Sequence, residues 1–204
     1  MYKRLPSKKL SGSEPFRNTG NKSISVLDFW RYGFSNLSAN VTRGVLAEFL
    51  IENALKEKME IEIRDPWGDS DILLKDGTKI EVKCCSYIQD WDQNKLSRIV
   101  FAGLIAEKVY YSEAVSKFVK KPPGYKSDIY IFALLKHQDP ASLDILDLDQ
   151  WCFYVLTKER LGAITKNGAS VSMKCLEKNN IDPIPFSRLS AAVEMAKSGK
   201  SACV

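Results

Sequence analysis

A continuous apolar run in the second half of the chain places the strongest constraint on the fold. Residues 129–135 read Ile-Tyr-Ile-Phe-Ala-Leu-Leu and follow Asp128. An apolar run without polar alternation predicts a strand that is buried on both faces. It is also far too short to span a bilayer. We therefore expect 128–135 to be a central strand, covered by other elements on both sides.

A helix followed by a meander of three strands is predicted upstream of this run. Leu46, Phe49 and Leu50 lie at helical spacing and predict a helix over 41–58, with Asn40 as its N-cap. The three strands are expected at 60–64, 71–74 and 79–84. Between the last two, Asp76-Gly77 supplies the positive φ that a tight hairpin turn needs.

The other elements are predicted from shorter patterns. Helices are expected at 25–36, 104–119 and 188–197, and the Pro-Pro-Gly of 122–124 follows the second of these. Further strands are expected at 97–101 and 151–157. Residues 86–96 fit either a loop or a short helix.

Length and charge fit one domain. The 204 residues are 45% hydrophobic and 27% charged, which are globular values. We expect a flexible basic arm at 1–24 and a single domain over 25–204, with its core at about 40–135 and C-terminal strands and a helix at 150–204. The net charge of +5 permits a polyanionic partner, and the arm is either a solvated terminus or a contact to phosphates.

No apolar stretch follows the basic N-terminus, so we expect a cytoplasmic protein with no membrane partner.

The sequence lacks the motifs of zinc sites and of nucleotide-dependent enzymes. The chain has one histidine, His137, and its five cysteines form no CxxC pair, which argues against a zinc site. Neither GxxxxGK[ST] nor GxGxxG occurs, so nucleotide-dependent chemistry is not indicated.

The hairpin of 71–83 carries the most informative polar residues. Side chains alternate along a strand, so Glu81 and Lys83 project to one face while Ile80 and Val82 project to the other. The turn brings Asp71 alongside. Mg²⁺ or Mn²⁺ prefers oxygen ligands and takes one or two carboxylates, which Asp71, Glu81 and the carbonyl of Val82 would supply.

A glutamate on the preceding helix adds to this group. Glu48 follows Gly44 by one turn, and a glycine inside a helix costs roughly 1 kcal/mol. Such a glycine makes sense where something approaches that helix face closely. Glu48 would then reach the same metal or a second one.

The pattern resembles the PD-(D/E)XK nuclease superfamily. Glu48 precedes Asp71, nine residues separate Asp71 from Glu81, and Val82 and Lys83 complete the signature. The resemblance covers about residues 40–135. It implies a restriction-endonuclease-like α/β fold with an αβββαβ core, in which a mixed central sheet is flanked by helices. Ser70 stands where the signature has proline, and Asp69 competes with Asp71 as the metal ligand.

The resemblance also implies roles for these residues. Asp71, Glu81 and Glu48 would be catalytic acids and metal ligands, with the Val82 carbonyl as a further ligand, and Lys83 would be the catalytic lysine.

Polar and aromatic residues near the signature are candidates for contacts to nucleic acid. Gln89 or Gln93 would contact a phosphate or base, and Tyr87 or Trp91 would stack on a sugar or base. Arg43, on the helix that carries Glu48, is a further candidate. The alternative interpretation is a loop whose aromatic residues face the core.

These features predict a Mg²⁺- or Mn²⁺-dependent DNA endonuclease that hydrolyses phosphodiester bonds. A type II restriction enzyme or related defence nuclease would be a homodimer, because cleavage of a duplex needs two sites. Two alternatives remain open: a structure-selective repair or recombination nuclease, and a non-catalytic nucleic-acid-binding module with a nuclease-like fold.

Overall fold

The apolar run forms the middle of a four-stranded mixed sheet. The computed structural model describes residues 5–57, 63–65, 68, 70–112 and 117–199. Its strands are β1 (Ile72–Leu73), β2 (Lys79–Ser86), β3 (Val100–Ala102), β4 (Ala106–Ser112), β5 (Lys117–Gly124), β6 (Ile129–Leu135), β7 (Trp151–Thr157) and β8 (Ser170–Ser172). Its α-helices are α1 (Val26–Phe34), α2 (Asn40–Ala54), α3 (Lys158–Thr165), α4 (Met173–Lys178) and α5 (Leu189–Lys197).

The main sheet has the strand order β1-β2-β6-β7. Strand β2 runs parallel to β6, whereas β1 pairs with β2 and β7 pairs with β6 in antiparallel fashion. Every residue of β6 is buried. The prediction of a central strand covered on both faces is therefore confirmed, and the chain has a mixed α/β fold.

Strand alternation divides the core into two layers. On one face, Ile129 and Ile131 of β6 pack in a cluster with Ile51 of α2 and Val193 of α5. On the other face, Tyr130, Phe132 and Leu134 of β6 pack in a cluster with residues of β3, α3, β8 and α4, namely Phe101, Leu161, Val171 and Leu176. The predicted helices 41–58 and 188–197 thus correspond to α2 and α5, and both cover the first face.

The helix expected at 104–119 is wrong. Residues 106–112 and 117–124 instead form an antiparallel two-stranded sheet, β4–β5, in which Tyr110 pairs with Val119 and Tyr111 with Phe118. Alanine, glutamate and lysine favour a helix here, but the Val-Tyr-Tyr and Phe-Val stretches favour strands. The αβββαβ order therefore lacks its second helix in the described part of the chain.

The first strand of the expected meander falls mostly outside the described residues. Ile63 and Arg64 are described and lie in no strand. The hairpin itself agrees with the sequence, because β1 and β2 occupy the predicted positions.

Helix α2 begins differently from the expectation. Its N-cap is Ala39, which offers no side-chain cap, and Asn40 is the first helical residue. The Asn40 amide oxygen instead accepts a hydrogen bond from the Arg43 guanidinium. The helix ends at Ala54 rather than at residue 58.

The N-terminal stretch has local structure of its own. The Phe16 amide donates to the Ile24 carbonyl at 2.8 Å, and the Leu27 amide donates to the Gly12 carbonyl at 2.9 Å. The flexibility expected for 1–24 stays a prediction. In the described ranges, no helix has the length and apolar character needed to cross a membrane.

Candidate active site

A tight turn brings the two strands of the candidate site together. The Leu74 amide donates to the Thr78 carbonyl at 3.0 Å, and the Gly77 amide donates to the Leu74 carbonyl at 2.9 Å. Gly77 has a φ of 88°, a conformation that glycine adopts without strain. This Asp-Gly turn sets the register that pairs Ile72 with Ile80.

Asp71 lies directly beside β2. Its Oδ2 atom accepts a hydrogen bond from the backbone N–H of Val82 at 2.7 Å. Burial and the negative charges of Glu81 and Glu48 together raise the pKa of the Asp71 carboxyl to about 6, although the Val82 hydrogen bond and the Lys83 charge act in the opposite direction. Asp71 is thus a fixed carboxylate in a place where extra positive charge would stabilise it.

Glu81 and Lys83 project to the same face, as strand alternation predicts. The Lys83 ammonium forms a salt bridge with Glu81 Oε1. Ser127, which is fully buried, donates its hydroxyl to Glu81 Oε2 at 3.5 Å. Between them, the Val82 side chain packs into the core beneath α2. The sheet therefore aims a carboxylate and an ammonium outward from neighbouring positions.

Glu48 approaches this group from α2 but has a different partner from the expected metal. Both of its carboxylate oxygens accept hydrogen bonds from Arg64, one from Nε and the other from Nη2 at 2.8 Å. The hydrogen bonds that Arg64 donates to Glu48 raise the pKa of Arg64. Gly44, one turn earlier, has no heavy atom within 4 Å of the place where a Cβ would lie, so its surroundings are open.

The donor set fits a hard divalent cation that keeps several waters. Within the described ranges, no three Asp, Glu, His or Cys side chains converge as a complete metal-binding group. Asp71 and Glu81 supply two carboxylates, however, and Mg²⁺ is commonly bound by one or two carboxylates together with water and substrate phosphates. Asp69, the competing ligand, lies outside the described residues.

The proposed nucleic-acid contacts are tied into the protein instead. Arg43 is only 3% exposed and donates to the Ser38 carbonyl, to Asn40 and, at 3.0 Å, to Gln89 Oε1. Gln89 also donates to the Ser86 carbonyl at 2.8 Å. These bonds join the start of α2 to the loop that follows β2.

Two further residues of that loop, Gln93 and Tyr87, also face the protein, whereas Trp91 does not. Gln93 accepts from the Gln89 amide at 2.6 Å and donates to Ser97 at 3.0 Å. Tyr87 packs against the core layer opposite α2. Trp91 is 56% exposed, and it is the aromatic residue of this loop that remains accessible to a ligand.

Two site residues have no strong signal in the sequence. Arg64 lies 16 positions from Glu48, and only the fold brings the two together. Ser127 precedes β6 and reaches Glu81 because β2 and β6 are neighbouring parallel strands. Their roles depend on pairings between distant segments.

In comparisons with known proteins, no family model matches the chain, and no curated protein or solved structure matches it either.

Proposed function

We propose that this chain is a metal-dependent nuclease that hydrolyses phosphodiester bonds in DNA, of the PD-(D/E)XK type. One observation carries the proposal: the Asp71 carboxylate is fixed to the Val82 amide beside the Glu81–Lys83 pair. Two carboxylates and an ammonium thus lie together where a hairpin meets a mixed sheet. Surface ion pairs are common, but a partly buried carboxylate held by a backbone N–H next to such a pair is less so.

Mg²⁺ or Mn²⁺ is the cofactor that this donor set suits. Asp71, Glu81 and the Val82 carbonyl would hold it. When bound, such an ion stabilises the negative charge of the phosphate and lowers the pKa of a coordinated water.

Lys83 has a separate role in the proposed reaction. Its ammonium is preorganised by Glu81, so it can stabilise charge that develops on the phosphate without a reorganisation cost. The same group can orient an attacking water.

A restriction or defence nuclease that acts as a homodimer is the specific form we favour. Cleavage of both strands of a duplex needs two sites, and a two-fold dimer provides them. The net charge of +5 agrees with binding to a polyanion.

The direct test is a nicking assay on supercoiled plasmid DNA. With purified protein and Mg²⁺ or Mn²⁺, we expect nicked and linear products, and EDTA should suppress them. A single-stranded RNA substrate assayed in parallel shows whether the protein cleaves DNA in preference to RNA. Absence of products from DNA at excess protein with either metal, or cleavage that persists in EDTA, would refute the proposal.

A further inference from the structure

The Glu48–Arg64 pair has the geometry of a clamp. Nε and Nη2 lie on one edge of the guanidinium, and each donates to a different oxygen of the Glu48 carboxylate. Two parallel hydrogen bonds of this kind fix the plane of an arginine as well as its position. The remaining N–H donors of the guanidinium point away from Glu48.

Exposure distinguishes the two partners. The Glu48 side chain is 14% exposed, whereas the Arg64 side chain is 42% exposed. The carboxylate lies underneath and has both oxygens engaged. The guanidinium is the part of the pair that a ligand from solvent can reach.

The charge of Arg64 is also felt at the candidate active site. Its charge interacts with that of Asp71, and with that of Glu52 on α2. It therefore contributes positive electrostatic potential at the carboxylate that the Val82 amide holds. A phosphate drawn to that site meets an arginine whose free edge matches its oxygens.

We propose that Arg64 binds a non-bridging phosphate oxygen of the DNA substrate and that Glu48 is its positioning residue rather than a metal ligand. This inference rests on the proposed nuclease function. It assigns a phosphate-binding residue that lies outside the superfamily signature. It also explains why Glu48 approaches the site while both of its carboxylate oxygens accept hydrogen bonds from an arginine.

The test separates substrate binding from metal binding. DNA affinity is measured by fluorescence anisotropy on a labelled duplex in EDTA, where no metal-dependent cleavage occurs. We expect R64A and R64K to weaken binding by about tenfold, because a charge-assisted bond to phosphate is lost or poorly formed. The matched control is R160A, which removes an exposed arginine on α3, a helix that packs on the face of the sheet opposite α2. It should bind DNA within about twofold of the wild type.

Glu48 is tested by coupling and by metal affinity. E48Q should weaken DNA binding in the wild-type background but have no further effect in an R64A background, since it acts through Arg64. By calorimetry, E48Q should bind Mn²⁺ within about threefold of the wild type, whereas D71N should bind it at least about tenfold more weakly. A purely structural role for Glu48 would not produce this split.

Two results would overturn the inference: wild-type DNA affinity in R64A, or a loss of Mn²⁺ affinity in E48Q equal to that in D71N. Circular dichroism of each variant checks the fold, and R64K provides a second variant that keeps the charge. If the wild-type protein binds duplex DNA without cleaving it, the nuclease proposal fails. The comparison of R64A with R160A still decides whether Arg64 contacts phosphate.

Discussion

Asp71 and Val82 are joined by a 2.7 Å hydrogen bond from the Val82 amide to the Asp71 carboxylate. This bond fixes the end of a two-residue edge strand onto the longer strand that carries Glu81 and Lys83. The donor is a backbone N–H of β2 rather than a side chain. The site is therefore held by the backbone of β2 itself.

Replacement of Lys83 by alanine should reduce plasmid cleavage by about 100-fold or more, since one preorganised donor for transition-state charge is lost. DNA affinity and the thermal midpoint should change little. Lys75→Ala, in the exposed turn of the same hairpin, is the control. Equal turnover in the two variants would remove Lys83 from the mechanism.

Asp71→Asn should bind Mg²⁺ or Mn²⁺ at least about tenfold more weakly, because a charged ligand becomes neutral. In EDTA the variant should be no less stable than the wild type. The asparagine oxygen can still accept from Val82, and the repulsion from Glu81 and Glu48 is relieved. Calorimetry and urea unfolding measure the two effects, with Asp92→Asn as an exposed control. A large loss of stability in EDTA would contradict this account.

Arg43→Ala should destabilise the protein by about 3 kcal/mol, because several acceptors around a buried guanidinium lose their donor. Chemical denaturation measures the change. The structure assigns Arg43 to the junction between α2 and the loop after β2. Unchanged stability together with weakened DNA binding would instead support the direct contact expected from the sequence.

Ile131→Ala should lower the free energy of unfolding by about 2–5 kcal/mol, since Ile131 is fully buried in the central strand. Val41→Ala provides the comparison, because Val41 is 83% exposed and its replacement should stay within about 0.5 kcal/mol. Similar unfolding midpoints for both variants would be incompatible with β6 as the centre of the core.

The ion pair between Asp76 and Lys197 predicts a pH dependence. Lys197 Nζ lies 2.5 Å from Asp76 Oδ2, and hydrogen bonds from Lys197 and Thr78 hold the pKa of Asp76 below its usual value of 3.8. A lowered folded-state pKa stabilises the protein above pH 4, and this stabilisation is lost as the pH falls toward the folded value. The same pair raises the pKa of Lys197 above 10.5, so its contribution fades again at strongly alkaline pH.

Asp76→Asn should therefore melt slightly below the wild type at pH 7, and the difference should shrink below about pH 4 and in high salt. Thermal melts at several pH values measure it. A difference that persists unchanged at pH 2 would show that the ion pair is not its cause.

Local patterns in the sequence predicted much of the main sheet. The apolar run of 129–135 was sufficient to predict a central strand, because a strand without polar residues is stable only when both of its faces are buried. The Asp-Gly turn defined the hairpin, and alternation placed Glu81 and Lys83 on one face. The helix at 104–119 failed because two β-rich stretches there pair with each other, and a composition-based prediction does not register that pairing.

The local conformations and the face on which each side chain of β2 lies can be read from the amino-acid order, because both follow from backbone periodicity. The contacts of Glu48 with Arg64, of Arg43 with Gln89 and of Ser127 with Glu81 arise only when the chain has folded. Each of these contacts joins segments well separated along the chain. Its geometry depends on how helices and strands pack, which no local pattern encodes.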